Sequence, residues 1–194
     1  MSAISEKTRY GMRGYTDRSR WVPSVSAMLD VLAPMPRGWI DEKSLADGGM
    51  LHRALFLLSK NEPYTVPHQS HSAFPRVDAA IHWFRSNGYT VMEAETPRIA
   101  RAGYGGRPDA LLAKGPRWFL AEVKFAESLH PRYEVQLELY RRLDFGMKRP
   151  IAPLLLQITK AGDVKPKYLK PNPGHYAAGL NALNALRWRI NHGK

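Results

Sequence analysis

The stretch Gly106-Arg107-Pro108-Asp109, with Glu122-Val123-Lys124 starting 13 residues after the aspartate, decides the fold of this chain. Residues 117–125 are rich in Trp, Phe, Leu and Val, and this composition predicts a strand. Because side chains two residues apart leave the same face of a strand, Glu122 and Lys124 should lie side by side. The two acids and the lysine therefore belong to one short region of sheet.

A second strand is predicted just before this one, over residues 110–113. Residues 114–116, Lys-Gly-Pro, have the composition of a tight turn between the two strands. An antiparallel hairpin of these strands brings Asp109, at the head of the first strand, beside Glu122 on the second. The hairpin thus predicts a pair of neighbouring carboxylates.

Two carboxylates and a lysine at one place are the groups needed for phosphodiester hydrolysis with a divalent metal. Carboxylate oxygens are hard ligands that suit Mg²⁺ or Mn²⁺, and such a cation polarises a phosphate and acidifies water. The ammonium of Lys124 can position that water or offset the charge that grows on the phosphorane. The sequence therefore predicts Asp109 and Glu122 as metal ligands and Lys124 as the residue that handles the nucleophile.

Helices are predicted on both sides of this region. Residues 131–145 have a proline at the start and Gly146 just past the end, and Gln136 and Tyr140 share one face. Residues 44–60 carry a leucine stripe at helical spacing, and His52 lies four residues after Gly48. The remaining predicted elements are helices over 76–87 and 174–191 and strands over 90–95, 151–159 and 163–169. Pro153 favours an edge position or a late start for the strand 151–159.

With these motifs the chain resembles the PD-(D/E)xK nuclease superfamily, in its RecB-like exonuclease branch. Gln136 and Tyr140 match the downstream Q-x-x-x-Y signature of that branch, and Gly48 and His52 match its upstream G-x-x-x-H pattern. Residues 22–29 and Trp39 are similar to the opening of the mitochondrial genome maintenance exonucleases and their phage and bacterial relatives. The resemblance covers residues 22–156.

The resemblance implies an α/β fold with a restriction-endonuclease-like core, in which helices flank a central mixed sheet. It also implies that His52 completes the metal site and that Gln136 and Tyr140 orient Lys124 or a substrate phosphate. Relatives place a supporting acid at the end of a strand, and Glu95 is preferred over Glu93 for this role. The implied activity is that of a DNA exonuclease in recombination, repair or replication.

The chain contains no cysteine. Some members of this branch carry an iron–sulfur cluster, which requires cysteine thiolates, so that cofactor is excluded. The absence of cysteine suits a reducing compartment, and we expect the cytoplasm of a bacterium or of a phage-infected cell. No apolar run approaches the roughly 20 residues that span a bilayer, so no membrane partner is expected.

Positive charge dominates the second half of the chain. The net charge is +12, of which +11 falls in residues 98–194 and +1 in residues 1–97. This distribution favours DNA, single-stranded or as duplex ends, as the partner. The arginines expected to contact it are Arg101, Arg107, Arg132, Arg141 and Arg142. Tyr104, Trp118 and Tyr133 are candidate stacking platforms for unpaired bases.

The basic start of the chain predicts a flexible arm over residues 1–21, followed by a single nuclease domain over residues 22–194. Glu6 and Asp17 interrupt its positive charges, which argues against an organellar targeting peptide. Two other functions remain open: a structure-specific endonuclease such as a junction resolvase, and a non-catalytic DNA-binding protein on the same scaffold. The sequence indicates no interface between copies of the chain.

Overall fold

The structure is a computed structural model that describes residues 4–18, 20–35, 42–64 and 74–192. Its strands are β1 Ser5–Arg9, β2 Met12–Asp17, β3 Arg20–Pro23, β4 Thr90–Ala94, β5 Arg98–Ala100, β6 Tyr104–Gly106, β7 Ala110–Lys114, β8 Arg117–Phe125, β9 Ile151–Ile158 and β10 Val164–Tyr168. Its helices are α1 Val25–Leu32, α2 Glu42–Ser59, α3 Phe74–Ser86, α4 Arg132–Arg141 and α5 Pro173–His192. Trp39 lies outside the described residues.

A five-stranded sheet in the order β10-β9-β8-β7-β4 forms the centre of the molecule. The β8–β9 pair is parallel and the other three pairs are antiparallel, so the sheet is mixed. Helices cover both faces, which confirms the predicted α/β architecture with a central mixed sheet. Among the described helices, none is both long and apolar enough to cross a bilayer.

The alternation of β8 divides its side chains between two apolar clusters. Leu120 packs into a cluster with residues of α1, α4 and α5, and Ala121 and Val123 pack into a second cluster with residues of α2 and α3. Because Glu122 and Lys124 follow Leu120 at two-residue spacing, they leave β8 on the α4 side. The sheet therefore presents its acid and lysine toward α4 at the end of β8.

The start of the chain differs from the expected flexible arm, because β1, β2 and β3 form an antiparallel sheet. Tyr10 and Gly11 both have positive φ at the β1–β2 turn, which fits a two-residue hairpin. Tyr15 is buried, and its ring lies against Gly105 of β6. All five side chains of β1 are exposed, so the segment lacks the apolar alternation that marks a half-buried strand.

The structure contains the other predicted elements, with boundaries shifted by a few residues. Helix α4 ends at Arg141 instead of residue 145, because Arg142 leaves helical geometry. The N–H of Arg142 then bonds to the Leu139 carbonyl and that of Leu143 to the Tyr140 carbonyl. Strand β9 is not at an edge. Pro153 fits in β9 because the pairing with β10 begins one residue later, at Leu154. The ladder with β10 therefore does not need the N–H that proline lacks.

Candidate active site

Several elements bring the predicted site residues together, and some of these residues line a cleft of about 790 Å³. Helix α2 carries His52, the ends of β4 and β7 carry Glu95 and Asp109, and β8 carries Glu122 and Lys124. Helix α4 supplies Gln136 and Tyr140. Gly48, His52, Lys124, Tyr133 and Gln136 are among the residues that line the cleft.

The predicted hairpin is present and positions the first carboxylate. In the β7–β8 ladder Ala110 lies opposite Ala121, so Asp109 comes opposite Glu122. The backbone N–H of Val123 donates to Asp109 Oδ2 at 2.7 Å. Asp109 is only 4% exposed, so this bond fixes one oxygen of a nearly solvent-free carboxylate. Its other oxygen is the one that faces His52.

His52, Glu95 and Asp109 form the cluster best suited to hold a cation. His52 Nδ1 contacts Glu95 Oε1 and lies 3.6 Å from Asp109 Oδ1. The potential ligand atoms of the three residues all lie within 4.8 Å of one another, close enough to surround one ion. Carboxylate oxygens with one imidazole nitrogen suit Mg²⁺ or Mn²⁺.

Glu95 is held in place by its own backbone and by an arginine. It has a φ of 53° directly after β4, and its N–H bonds to the carbonyl of Asp109 at 3.3 Å. Arg107 Nε donates to Glu95 Oε2 at 2.8 Å. Glu93, the alternative acid on the same strand, is instead paired with Arg98. Of the two acids, the structure thus brings Glu95 to the cluster.

Glu122 differs from the predicted arrangement in how its two oxygens are used. Lys124 Nζ bonds to Glu122 Oε1 at 2.6 Å, whereas Glu122 Oε2 is buried without a hydrogen-bond partner. The cluster of three ligands includes Glu95 in the place where the sequence suggested Glu122. A buried carboxylate oxygen without a partner is costly, and a cation next to Asp109 would satisfy it. The donor set therefore fits a divalent metal.

Electrostatics in the cleft reflect this crowding of acids. Burial and the charge of Asp109 raise the pKa of Glu122 to about 7, against the opposing effect of Lys124. Burial lowers the pKa of His52, but Asp109 and Glu95 outweigh it and raise that pKa to about 9. Burial likewise lowers the pKa of Lys124, and the charges of Glu122 and Asp109 raise it above its ordinary value. His52 and Lys124 therefore both carry a proton at neutral pH.

Gln136 and Tyr140 form a buried pair behind the lysine. Gln136 Nε2 donates to the Tyr140 hydroxyl at 3.2 Å, and the two residues are 7% and 5% exposed. The Tyr140 ring lies directly over Gly106, where a Cβ would collide with it. Lys124 Nζ lies 4.9 Å above the Tyr133 ring. The glycine of the Gly106–Asp109 stretch thus serves the close approach of α4.

The arginines predicted to contact DNA occupy several environments. Arg101 is exposed, and Arg107 pairs with Glu95. Arg132 is 7% exposed and donates to the Ala33 carbonyl and to Asp30 at 2.8 Å, so it ties α4 to α1. Arg141 and Arg142 both bond to Glu138.

Among the candidate stacking platforms, Tyr104 has no exposed surface, and its hydroxyl bonds to the Leu139 carbonyl. Tyr104 is therefore unable to stack on a base. Residues 103–106 likewise include the buried strand β6. Three cations that the sequence did not single out also line the cleft: Arg13, Arg76 and Lys160. Nothing in their spacing separates them from ordinary surface charges.

Three solved structures of exonucleases are similar in fold to this protein. The alkaline exonuclease LHK-Exo of Laribacter hongkongensis matches with a TM-score of 0.51 and 14% identity, over 87% of each chain. Its complex with dAMP matches with a TM-score of 0.52 and 13% identity, over 88% of each chain. A candidate exonuclease of Eubacterium rectale matches with a TM-score of 0.51 and 14% identity, over 86% of this chain and 79% of that one.

The similarity to these proteins is one of fold. No protein-family model matches the sequence, and a search of the curated proteins finds no match. The α/β fold with its mixed sheet is shared with these exonucleases.

Proposed function

We propose that this protein is a divalent-metal-dependent deoxyribonuclease, an exonuclease that hydrolyses DNA phosphodiesters in recombination, repair or replication. One observation carries the proposal: His52, Glu95 and Asp109 meet at the end of a hairpin that also presents Glu122 and Lys124. The likeness to LHK-Exo, an alkaline exonuclease whose structure includes a dAMP complex, supports DNA as the substrate.

In this proposal His52, Glu95 and Asp109 hold Mg²⁺ or Mn²⁺, and Glu122 contributes the carboxylate oxygen that has no protein partner. The chemistry supplied by the bound cation is polarisation of a phosphate and acidification of water. Because His52 binds a metal only when its nitrogen is unprotonated, cation binding must release the proton that Asp109 and Glu95 stabilise.

Lys124 keeps its proton and acts as a fixed positive charge. Its ammonium positions the attacking water and offsets the charge that develops on the phosphate. The Gln136–Tyr140 pair holds the wall of the cleft next to Lys124 and orients a substrate phosphate through the Gln136 amide. Arg13, Arg76 and Lys160 add positive charge along the cleft, which favours a polyanionic substrate.

The test is digestion of end-labelled single-stranded, double-stranded and covalently closed circular DNA, each with Mn²⁺, Mg²⁺ or EDTA. We expect both linear substrates or one of them to be degraded with metal, and the circle to survive. Asp109→Asn protein, purified in parallel, controls for contaminating nuclease. Asn keeps an acceptor for the Val123 N–H, so the variant should remain folded.

Other outcomes distinguish the alternatives. Cleavage of the closed circle requires no DNA end, so this result would show that the protein is an endonuclease and not an exonuclease. Salt-sensitive binding of DNA without cleavage in the presence of either metal would show that the protein is a non-catalytic DNA-binding protein on the same scaffold. Cleavage by Asp109→Asn at the wild-type rate would show that the proposed metal site is not the site of catalysis.

A further inference from the structure

Three arginines from distant parts of the chain meet at a second cavity, of about 210 Å³, away from the metal cluster. Arg9 ends β1, Arg20 begins β3 and Arg187 belongs to α5. Ten residues line this cavity, and they include these three cations and no aspartate or glutamate. None of the residues of the metal cluster or of the Glu122–Lys124 pair lines it.

Gly103 allows two of the guanidinium groups to come together. It has a φ of +83°, and a Cβ there would lie 2.6 Å from Arg187 Nη2 and 2.9 Å from Arg20 Nη2. Arg187 Nη2 donates to the carbonyl of Ala102 at 2.6 Å. Two like charges are thus placed over the same piece of backbone, and an anion between them would offset their mutual repulsion.

The surroundings add positive charge and aromatic surface. The Trp21 ring covers Gly14, its Nε1 donates to the Lys7 carbonyl at 3.1 Å, and Tyr10 packs edge-on against it at 5.7 Å. An adjoining hollow of about 170 Å³ is lined by Lys7, Arg9, Thr16, Arg18 and Trp21. The indole is therefore fixed in place at the junction of two basic hollows.

The acids of the three-stranded sheet lie elsewhere. Glu6 alternates to the opposite face from Lys7 and Arg9, where it pairs with Arg13 at 2.9 Å and lies 3.9 Å from Arg107. Asp17 lies opposite Arg20 in the β2–β3 ladder but does not line the cavity. Among the described residues that line the cavity, no carboxylate lies beside the three guanidinium groups.

We propose that Arg9, Arg20 and Arg187 bind backbone phosphates of a nucleic acid at this cavity, as a contact surface separate from the cleavage site. Guanidinium groups that converge without a carboxylate match the oxygens of a phosphate, and the flanking Lys7 and Arg18 extend the positive surface along a strand of phosphates. The inference rests on the proposed function, because it assigns a second stretch of the same DNA to this surface.

The three-stranded sheet links this surface to the cleft. Arg13 of β2 lines the cleft, whereas Arg9 and Arg20 on the neighbouring strands line the arginine cavity. Because Arg13 and Arg9 lie on opposite faces of the sheet, DNA that leaves the cleft would reach these arginines by passing around the edge of the sheet. Contacts of this kind hold the substrate through its backbone without sequence preference, and their strength falls with salt.

The experiment measures binding of a short fluorescein-labelled duplex by anisotropy in EDTA, at KCl concentrations between about 50 and 200 mM. Arg20→Gln/Arg187→Gln should bind more weakly, and its slope of log K against log[KCl] should be shallower by about 2, since each lost phosphate contact removes about 0.9. Arg189→Gln is the matched control, because Arg189 is exposed on the same helix but points about 200° away from Arg187. It should keep the wild-type slope.

Two further variants separate charge from folding. Arg20→Gln alone leaves the contacts of Arg187 to Ala102 and Gly103 in place, and it should lower the slope by about 1. Arg20→Lys/Arg187→Lys keeps both charges and should retain most of the slope. A wild-type slope in the double glutamine variant, or an equal loss in Arg189→Gln, would overturn the site.

The binding measurement is independent of cleavage. If the glutamine variants lose slope but wild-type protein cuts no DNA with Mn²⁺, the proposed activity fails and the phosphate surface stands. If wild-type protein cuts DNA and the slope is unchanged, the surface fails and the activity stands. Loss of binding to phosphatidylserine vesicles in the double variant, with an unchanged DNA slope, would assign the cavity to a membrane surface and overturn the proposal.

Discussion

Glu122 in the cleft and Glu138 at the junction of α4 and α5 are equally buried, at 2% and 3% exposure, yet their pKa values shift in opposite directions. Burial and Asp109 raise the pKa of Glu122 to about 7. Burial also acts to raise the pKa of Glu138, but hydrogen bonds and charge from Arg141, with help from Asn172 and Arg142, lower it below the ordinary 4.5. The comparison separates two uses of a buried carboxylate.

The partners of each carboxylate explain the difference. At Glu138, Oε1 accepts from Arg141 and Arg142, and Oε2 accepts from Arg141 and from the N–H of Asn172. At Glu122, one oxygen accepts from Lys124 and the other has no partner. The α4–α5 junction therefore uses its buried carboxylate to hold two helical segments together. The cleft instead keeps carboxylates close to one another, which favours binding of a cation at the expense of folding stability.

The largest expected difference between the two glutamates is in catalysis. Glu122→Gln removes a carboxylate from the proposed metal site and should lower Mn²⁺-dependent cleavage by about 10³-fold or more, equivalent to several kcal/mol of lost transition-state stabilisation. Glu138→Gln should retain the wild-type rate at a temperature where both variants are folded. The measurement is the initial rate on saturating end-labelled duplex. A similar loss in both variants would abolish the distinction.

For folding stability, Glu138→Gln should have the larger effect and Glu122→Gln the smaller one. Glu138→Gln leaves two arginines without their buried partner and should lower the free energy of unfolding at pH 7 by about 3 kcal/mol. Glu122→Gln removes a carboxylate that burial disfavours and should cost less than about 1 kcal/mol. Urea denaturation in EDTA checks both values, with the exposed Glu62→Gln as the control. If Glu122→Gln proved the more destabilising, Glu122 would be a structural residue.

Much of the cleft could be predicted from the sequence because it depends on local patterns. The hairpin, the two-residue spacing of Glu122 and Lys124, and the four-residue spacings on α2 and α4 each follow from strand or helix periodicity. These patterns place residues on faces of elements. They do not predict the contact of His52 with Glu95, because that contact depends on how α2 packs beside β4 and on the positive φ of Glu95.

The elements that could not be predicted are those without apolar periodicity. Strand β1 is fully exposed and rich in charge, so its composition favoured a flexible arm, although the Tyr10-Gly11 pair is compatible with a hairpin turn. Strand β6 is mostly glycine, and its glycines are required by the rings of Tyr15 and Tyr140, which come from distant segments. Arg132 was expected to bind DNA, and only the packing of α1 reveals its bonds to Asp30 and Ala33.

The pH dependence of stability sharpens the comparison, because the pKa shifts of the two glutamates have opposite signs. The pKa of Glu138 is depressed, so its contribution is complete above about pH 4.5 and is lost as the pH falls through its lower folded value. Wild-type protein and Glu138→Gln should therefore converge in stability below about pH 4.5. The measurement is the urea midpoint of this domain between about pH 3 and pH 8.

For Glu122 the raised pKa gives the opposite trend. Between about pH 4.5 and about pH 7 the folded protein holds a proton that the unfolded chain releases, so wild-type stability falls as the pH rises through this window. Glu122→Gln lacks this loss and should gain about 3 kcal/mol relative to wild type across the window in EDTA. A constant difference between the two proteins over this range would contradict the raised pKa.

The smallest expected effect concerns the two arginines that hold Glu138. Arg141 is 18% exposed and makes two bonds to the carboxylate, the shorter at 2.7 Å, whereas Arg142 is 43% exposed and makes one bond of 3.3 Å. Solvent weakens the second pair, so double-mutant cycles with Glu138→Gln should give a coupling of about 1 kcal/mol for Arg141 and about 0.3 kcal/mol for Arg142. The cycle also cancels the separate contact of Arg142 with the Tyr176 ring. Equal couplings would mean that burial of the pair does not determine its strength, and the explanation of the depressed Glu138 pKa through Arg141 would then fail.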